Sequence, residues 1–235
     1  MALGCSAGLA RAAPAAQLRV VTAHLPPLVI ENGGKRPGAL LELVDELCNR
    51  VQMALKLEFV PWKRALFLAT SMPATAIFPV TRLPEREATF RWLAPLYEEH
   101  YLFLAAHNSK FDIEHPGDMK ALRITLIRGA AQTAILRELG YRNIIEANSI
   151  EEVHRYLTGG MADAAFGERN IIQSSLSSRS AQKDFRLSPP VRTTTAWLAG
   201  SLDFDETTVQ QFQRAKAAMD ADGTSRRILA RYKLA

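Results

Sequence analysis

The first eighty residues alternate between strand-like and helix-like patterns of apolar side chains. Residues 18–22 and 56–60 are short runs rich in aliphatic side chains, and residues 76–78 form a third, so each run predicts a strand. Between them, apolar residues recur at helical spacing over residues 40–53 and 62–69. Two strand–helix units in succession predict a parallel sheet with right-handed crossovers.

A second series of the same kind begins after residues 101–105, which form another predicted strand. The apolar pattern here predicts three strands, at 123–127, 144–147 and 162–166, and two helices, at 132–139 and 150–157. No internal repeat and no low-complexity linker separates this series from the first. The sequence therefore predicts two α/β lobes joined by crossing strands, with loops of both sheets facing one cleft.

The last part of the chain opens with a polar stretch at residues 173–184. Its Ser/Arg-rich run, residues 174–180, is typical of a solvent-exposed helix end and loop. A last strand is predicted at residues 195–199, followed by helices at 206–221 and 225–232. Apolar residues of the first of these helices share one face, which indicates packing onto a core.

Composition narrows the class of protein. With 48% hydrophobic and 23% charged residues among 235, the chain has the composition of a folded globular protein. Its net charge of +5 would permit nucleic-acid binding, but the Lys and Arg residues are spread along the chain, so no nucleic-acid partner is predicted. A basic surface instead favours an anionic or zwitterionic ligand by long-range attraction.

The N-terminal residues have the character of an export signal. Residues 1–17 are small and apolar and include Ala13-Pro14-Ala15, the small-x-small pattern that precedes signal-peptidase cleavage. They predict a leader and a periplasmic location. Leu3-Gly4-Cys5 partly matches a lipobox, so a lipid anchor on Cys5 is the alternative. No later segment has the ~18 uninterrupted apolar residues of a membrane helix.

Cysteine and histidine usage gives no support to a metal site. Cys48 lies in an apolar helical pattern, which predicts a buried structural thiol, and Cys5 lies in the leader. The five histidines are scattered, without a Cys/His cluster. We therefore expect neither a metal ion nor another cofactor.

A series of short segments resembles, in the same order, the motifs of one protein family. The segments are Pro26-Pro27 with Gly38 and Glu42; Pro61-Trp62-Lys63-Arg64-Ala65; 81–86 with Phe90, Pro95 and Tyr97; Asp118-Met119-Lys120-Ala121 with Gly129; 157–164; and 222–232. Together they resemble the bacterial extracellular solute-binding proteins of the polar amino-acid family, in a variant with a PW-x-RA motif. The resemblance covers residues 18–232 and is carried by the joint order of the motifs.

This resemblance implies the type II periplasmic-binding fold, an α/β fold of two lobes. Each lobe is a mostly parallel sheet flanked by helices, and the ligand cleft lies between them. The resemblance places lobe 1 at residues 18–98 and 194–235, lobe 2 at 103–188, and hinge strands at 99–102 and 189–193. The implied protein is a monomeric substrate-binding component of an ABC importer. It would close on a small polar carboxylate, such as an amino acid or derivative, for a permease in the inner membrane.

The same resemblance assigns the acid end of the ligand to Arg86 and Thr81. Arg86 matches the ligand-carboxylate arginine of the family, and a planar guanidinium donates two parallel hydrogen bonds to a carboxylate. Thr81, at a strand end, would add hydroxyl and amide contacts. Arg82 would add positive potential to the cleft. The alternative for both arginines is a solvated turn position.

The second lobe supplies the opposite wall. Glu168 matches the position of an aspartate that accepts the ligand's α-ammonium group, and its alternative role is a helix-start glutamate favoured by the helix dipole. After Gly129, Ala130 and Ala131 replace the hydroxyl residues that the family often has. Only backbone N–H groups at the helix start would then remain for the carboxylate, so Arg86 is expected to matter more.

Two residues complete the implied site. Trp62 matches a position at which the family stacks an aromatic ring on the ligand side chain, and its alternative role is core packing. His24 either contacts the ligand or lies on the loop, beside Leu25, which replaces an aromatic residue of the family. The family's binders of basic amino acids use an acidic residue near the position of Thr22. None is present here, so the resemblance counts against lysine or arginine as the ligand.

Two other functions stay open at this point. The resemblance extends to cyclohexadienyl-type dehydratases, in which Glu168, with its pKa raised by burial, would act as general acid. No Ser/His/Asp or Cys/His arrangement supports other catalysis, and a non-enzymatic role is expected. A periplasmic sensing subunit, which would deliver the closed clamp to a different membrane partner, is the second alternative.

Overall fold

The computed structural model describes residues 16–234, so nearly all of the predicted leader, with Ala13-Pro14-Ala15 and Cys5, lies outside the described residues. The described chain forms nine strands: β1 Gln17–Thr22, β2 Ala54–Phe59, β3 Thr75–Thr81, β4 Arg91–Ala106, β5 Ile124–Ile127, β6 Ile144–Ala147, β7 Ala164–Glu168, β8 Phe185–Leu187 and β9 Arg192–Gly200. It also forms seven α-helices: α1 Ala39–Arg50, α2 Trp62–Ser71, α3 Gln132–Glu138, α4 Ile150–Thr158, α5 Arg169–Ser178, α6 Glu206–Ala221 and α7 Thr224–Arg231.

One mixed sheet runs through the molecule in the order β2-β1-β3-β9-β4-β7-β5-β6, with β8 paired to β4. β1 is parallel to β2 and β3, and β5 is parallel to β6 and β7. β9 is antiparallel to β3 and β4, and β4 is antiparallel to β7 and β8. The parallel pairs are those of the predicted strand–helix units. Every antiparallel pair includes β4 or β9, the two strands that cross between the halves of the sheet.

These crossing strands divide the sheet into two lobes. The first lobe contains β1, β2, β3 and β9 with α1, α2, α6 and α7; the second contains β5 to β8 with α3, α4 and α5. β4 serves both lobes, because residues 91–101 pair with β9 and residues 101–104 pair with β7. The predicted hinge residues 99–102 lie inside β4, and residues 189–193 lead into β9.

Each lobe has its own hydrophobic core. In the first, α1 buries Leu40 and Leu47 in a cluster with Phe212 of α6. In the second, the rings of Phe103 and Phe166 pack with centroids 4.9 Å apart. Full burial of one such side chain contributes about 1.5–3 kcal/mol. Each core is formed mostly within one lobe, although Leu83 of the first lobe belongs to the cluster of the second.

β4 begins at Arg91, well before the strand predicted at residues 101–105, so the predicted start was wrong. Its pairing with β9 shifts register between Trp92 and Ala94 and again between Pro95 and Tyr97. Such bulges break the alternation of inward and outward side chains, and proline has no N–H for the ladder. The pattern of apolar residues therefore hides the first part of this strand. β8, after the polar stretch, was also not predicted.

Cys48 is fully buried in α1, which confirms the prediction of a structural thiol. Burial, together with the nearby Asp45 carboxylate, raises the pKa of the thiol to about 12. The thiol is therefore protonated at neutral pH and is a poor nucleophile.

Candidate functional site

A cavity of about 100 Å³ lies between the two lobes. Six of the residues predicted from sequence line it: Trp62, Thr81, Arg86, Ala130, Ala131 and Glu168. Glu99, Tyr101 and Gln132 line it as well, and sequence reasoning did not single them out. Most of the remaining wall is aliphatic or aromatic, so a few charged groups set the polarity of the cavity.

Arg86 reaches across the cleft from the first lobe. It ends a short 3₁₀ turn, Pro84–Arg86, that follows β3. Its Nη1 donates to the backbone oxygen of Thr81 and its Nη2 donates to the backbone oxygen of Gly129 in the second lobe, each at 3.5 Å. Burial lowers the pKa of Arg86, but a guanidinium stays charged in proteins. With two long bonds and five N–H donors, it retains donors for a carboxylate.

Thr81 begins a chain of hydrogen bonds that ends at a buried carboxylate. The Tyr101 hydroxyl donates to Oε1 of Glu99 at 3.1 Å, and Thr194 donates to Oε2 at 3.0 Å. Since the single Tyr101 proton is used in this way, Thr81 donates to the Tyr101 oxygen, at 3.0 Å. The proton of the Thr81 hydroxyl is therefore already used in a hydrogen bond to Tyr101.

Glu99 is 4% exposed and faces the cavity from β4. Burial raises its pKa to about 7, and the nearby Glu168 charge acts in the same direction. A signal for Glu99 was present in the sequence, because residues two apart in a strand share a face. Glu99 shares the face of Tyr97 and Tyr101, but the bulged start of β4 hid this register.

Glu168 ends β7 and is the N-cap of α5, the helix-start position named as its alternative role. Its Oε2 accepts from the backbone N–H groups of Asn170 at 2.8 Å and Ile171 at 2.9 Å. Its Oε1 accepts from the Tyr97 hydroxyl at 3.0 Å and from Nδ2 of Asn170 at 3.1 Å. Burial raises the pKa of Glu168, and these hydrogen bonds oppose that rise.

The loop before α3 forms the facing wall. Gly129 has φ of 76°, in the left-handed region that suits glycine. The N–H of Ala130 already donates to the oxygen of Ile127, at 3.3 Å, so this group is not free for a ligand. Gln132 adds a polar group, because its Oε1 is buried without a hydrogen-bond partner among the described residues.

Three of the predicted site residues do not line this cavity: Gly129, which precedes the lining residues Ala130 and Ala131, and His24 and Arg82. His24 lines a second cleft cavity of about 590 Å³, and its Nδ1 accepts from the backbone N–H of Glu31 at 3.0 Å. Arg82 lines neither cavity. It forms two hydrogen bonds with Glu87, at 2.7 and 3.0 Å, and lies over the rings of Trp92 and Trp197.

No family model and no curated relative matches the chain, but solved structures match most of it. A histidine kinase sensor domain with similarity to periplasmic binding proteins matches with a TM-score of 0.82 and 15% identity, over 93% of this chain and 96% of that one. The GluR0 ligand-binding core from Nostoc punctiforme, in complex with L-glutamate, matches with a TM-score of 0.78 and 15% identity, over 93% and 100%. The chain has the type II periplasmic-binding fold. An arginine 3rd transport system periplasmic binding protein from Legionella pneumophila also matches, with a TM-score of 0.76 and 17% identity, over 92% and 99%.

In the type II periplasmic-binding fold, the lobes close around a ligand by a hinge motion. The lobes of this chain are in contact across the cleft. Besides the bond from Arg86 to Gly129, a Cβ added at Gly129 would lie 3.8 Å from Cβ of Lys63 in α2. Both lobes therefore line the cavity, which adjoins the larger cleft cavity and shares Leu25 and Trp62 with it.

Two further findings concern the described residues. No helix between residues 16 and 234 is long and apolar enough to cross a membrane. No group of three or more His, Cys, Asp and Glu side chains in this range could hold a metal ion.

Proposed function

We propose that this protein is the periplasmic substrate-binding component of an ABC importer and that it binds a small carboxylate, an amino acid or a derivative, by lobe closure. One observation carries the proposal most directly. Arg86 places its guanidinium in the cavity between the lobes and keeps donors that the protein does not use. A guanidinium in such a position suits a carboxylate, because its planar fork donates two parallel bonds.

Closure would couple ligand binding to transport. Arg86 comes from the first lobe, and the loop of Gly129 to Ala131 comes from the second, so a ligand held between them contacts both. A ligand that binds both lobes favours the closed state over the open one. A permease in the inner membrane would then recognise the closed shape. The resemblance of residues 1–17 to an exported leader agrees with a periplasmic location.

A thermal-shift screen of amino acids, dicarboxylates and related amines tests the proposal. A ligand present at about 100 times its Kd stabilises the folded state by about 2.7 kcal/mol, which raises Tm by roughly 5–10 °C in a chain of this size. The shift should vanish in Arg86→Ala. It should persist in Arg214→Ala, which removes an exposed arginine of α6. No shift with any of these compounds would contradict the proposal.

A sensing subunit is the second candidate, because one of the matching solved structures is a histidine kinase sensor domain. It would use the same cleft and closure, but its membrane partner would differ. Neighbouring genes for a permease and an ATPase favour the importer. A neighbouring gene for a membrane kinase or receptor without them favours the sensor.

The dehydratase alternative is less well supported by the geometry. A general acid must release a proton from one of its own oxygens, whereas both oxygens of Glu168 accept hydrogen bonds from neighbouring groups. Turnover of prephenate or arogenate that is lost in Glu168→Gln would establish the enzyme instead.

A further inference from the structure

The resemblance assigns the ligand's ammonium group to Glu168, but this carboxylate is already fully engaged. It accepts four hydrogen bonds, from Tyr97, from the side chain and backbone of Asn170, and from the backbone of Ile171. An ionised carboxylate offers about four lone-pair positions. A ligand ammonium would therefore have to displace one of these donors and weaken the start of α5.

Glu99 is a cavity carboxylate with acceptor capacity to spare. In the described chain, Tyr101 and Thr194 donate one hydrogen bond to each of its oxygens, and no basic side chain forms an ion pair with it. The residue is nevertheless 4% exposed. A buried carboxylate without a paired cation is unfavourable, and the Arg86 guanidinium interacts with the Glu99 charge across the cavity without forming an ion pair with it. A cationic group in the cavity would compensate its charge.

Arg86 is the complementary case. Both of its hydrogen bonds go to backbone carbonyl oxygens, and no carboxylate of the described chain forms an ion pair with it. Arg86 and Glu99 line the same cavity, yet they do not pair with each other. A ligand that carries both a carboxylate and an ammonium group would satisfy both residues at once.

The rest of the cavity indicates the ligand's side chain. Its wall includes Leu25, Leu126, Phe166 and Ile171, and its volume is about 100 Å³. Apolar walls favour an apolar side chain, because burial of polar groups without partners is unfavourable. Gln132, with the unpartnered Oε1, offers one further acceptor for the ammonium group.

We propose that Glu99, and not Glu168, binds the ammonium group of the ligand opposite Arg86, and that the ligand is a zwitterionic amino acid with an apolar side chain. The inference rests on the proposed function and deepens it. Glu99 is then the residue that distinguishes an amino acid from a simple carboxylate of the same size.

Isothermal titration calorimetry on the full chain tests this assignment. The probes are L-alanine, L-valine and L-leucine, together with 4-methylpentanoate, which is leucine without its amine, and isoamylamine, which is leucine without its carboxylate. The wild type should bind at least one of these amino acids, and should bind L-leucine at least tenfold more tightly than either leucine fragment. Glu99→Gln should weaken binding of the amino acid at least tenfold and change binding of 4-methylpentanoate less than threefold.

Glu98→Gln is the matched control, because Glu98 is the neighbouring residue on the opposite face of β4 and its side chain is 67% exposed. It should bind like the wild type. Far-UV circular dichroism confirms that each variant is folded. A selective loss of amino-acid affinity in Glu168→Gln, but not in Glu99→Gln, would overturn the assignment.

Three further outcomes separate this inference from the proposed function. Equal wild-type affinity for L-leucine and 4-methylpentanoate would overturn the inference and leave a carboxylate-binding protein. If the thermal-shift screen finds binding of charged amino acids but calorimetry finds none of alanine, valine or leucine, the ligand's side chain is not apolar and the inference is overturned. Absence of binding to every amino acid and carboxylate would overturn the proposed function itself.

Discussion

Nη2 of Arg86 donates a hydrogen bond to the backbone oxygen of Gly129, so a guanidinium of the first lobe reaches a loop of the second. The bond is 3.5 Å long, as is the bond from Nη1 to Thr81, and bonds of this length are weak. The protein alone therefore links its lobes loosely at this point. A ligand carboxylate that engages the free donors would strengthen the link, which is how occupancy can favour closure.

Arg86→Lys should lower ligand affinity at least tenfold, although the charge is kept. A lysine ammonium is a point charge on a flexible stem and cannot reproduce the planar fork. Calorimetry with the best compound of the thermal screen measures the loss. Small-angle scattering should show a smaller radius of gyration for the liganded wild type and no such decrease in the variant at the same ligand concentration. Wild-type affinity in Arg86→Lys would contradict the bidentate role.

Glu99 should make the stability of the ligand-free protein depend on pH. Burial raises its folded-state pKa to about 7 from an ordinary value of 4.5, so the folded state binds the proton more tightly than the unfolded state. The stabilisation is complete below the unfolded pKa and is lost as the pH rises through about 7. Relative to Glu99→Gln, the wild type should lose up to about 3 kcal/mol between pH 5 and pH 8.

Urea denaturation of both proteins at pH 5, 6, 7 and 8 measures this difference, since other titrating groups are common to the two chains. A difference that stays constant over this range would contradict the buried, ionisable state of Glu99. Asp184→Asn serves as control and should follow the wild type at each pH, because Asp184 is exposed and its side chain forms no hydrogen bond or ion pair with the other described residues.

Ligand binding should have the opposite pH dependence if Glu99 binds an ammonium group. The ionised carboxylate is the form that attracts a cation, so the affinity for the amino acid should rise between pH 5.5 and pH 8. The affinity of Glu99→Gln should change much less over the same range. Calorimetry at the two pH values checks this, and an equal pH dependence in both proteins would contradict it.

Glu168→Ala should destabilise the protein by roughly 2 kcal/mol or more. The substitution removes the N-cap acceptor of α5 and also leaves the buried Tyr97 hydroxyl without its acceptor. Asp205→Ala is the matched comparison. Asp205 caps α6 through Thr208 at an exposed position, so its loss should cost about 1 kcal/mol. Urea denaturation ranks the two variants, and an equal or smaller cost at Glu168 would show that burial adds nothing.

Much of this architecture could be predicted from the sequence. Six of the seven α-helices of the described residues and most strands follow from the period of their apolar residues, since burying one face is what forms them. Helix α5, which lies largely in the polar stretch, was not predicted. The motif around residues 81–86 predicted Arg86 and Thr81 as ligand-binding residues, and the segment after Gly129 predicted Ala130 and Ala131. All four line the cavity. Thr81 ends β3, Arg86 lies in the turn that follows, and Ala130 and Ala131 directly precede α3, so local sequence determines their positions.

The remaining features depend on contacts that are distant in sequence. Arg82 and Arg86 lie in the same turn, but Trp92 and Trp197 hold Arg82 away from the cleft, and no local pattern reveals those rings as its partners. Glu99 was missed because the bulges after Trp92 hid the register of β4. In this part of β4, the pairing with β9 determines whether a polar side chain such as that of Glu99 faces water or the cavity.

Gly38→Ala should destabilise the protein by roughly 2–3 kcal/mol. Gly38 precedes α1 with φ of 102°, and a Cβ at this position would lie 2.5 Å from the backbone oxygen of Leu28. To relieve this close contact, the backbone at Leu28 would have to move, and Leu28 packs in the core of the first lobe. This region does not line the ligand cavity. Gly117→Ala is the control, because a Cβ there would meet nothing within 4 Å, and its stability should change by less than about 0.5 kcal/mol. Urea denaturation measures both, and ligand affinity should be unchanged in each. Equal stability of Gly38→Ala and wild type would show that the turn before α1 adapts to a side chain.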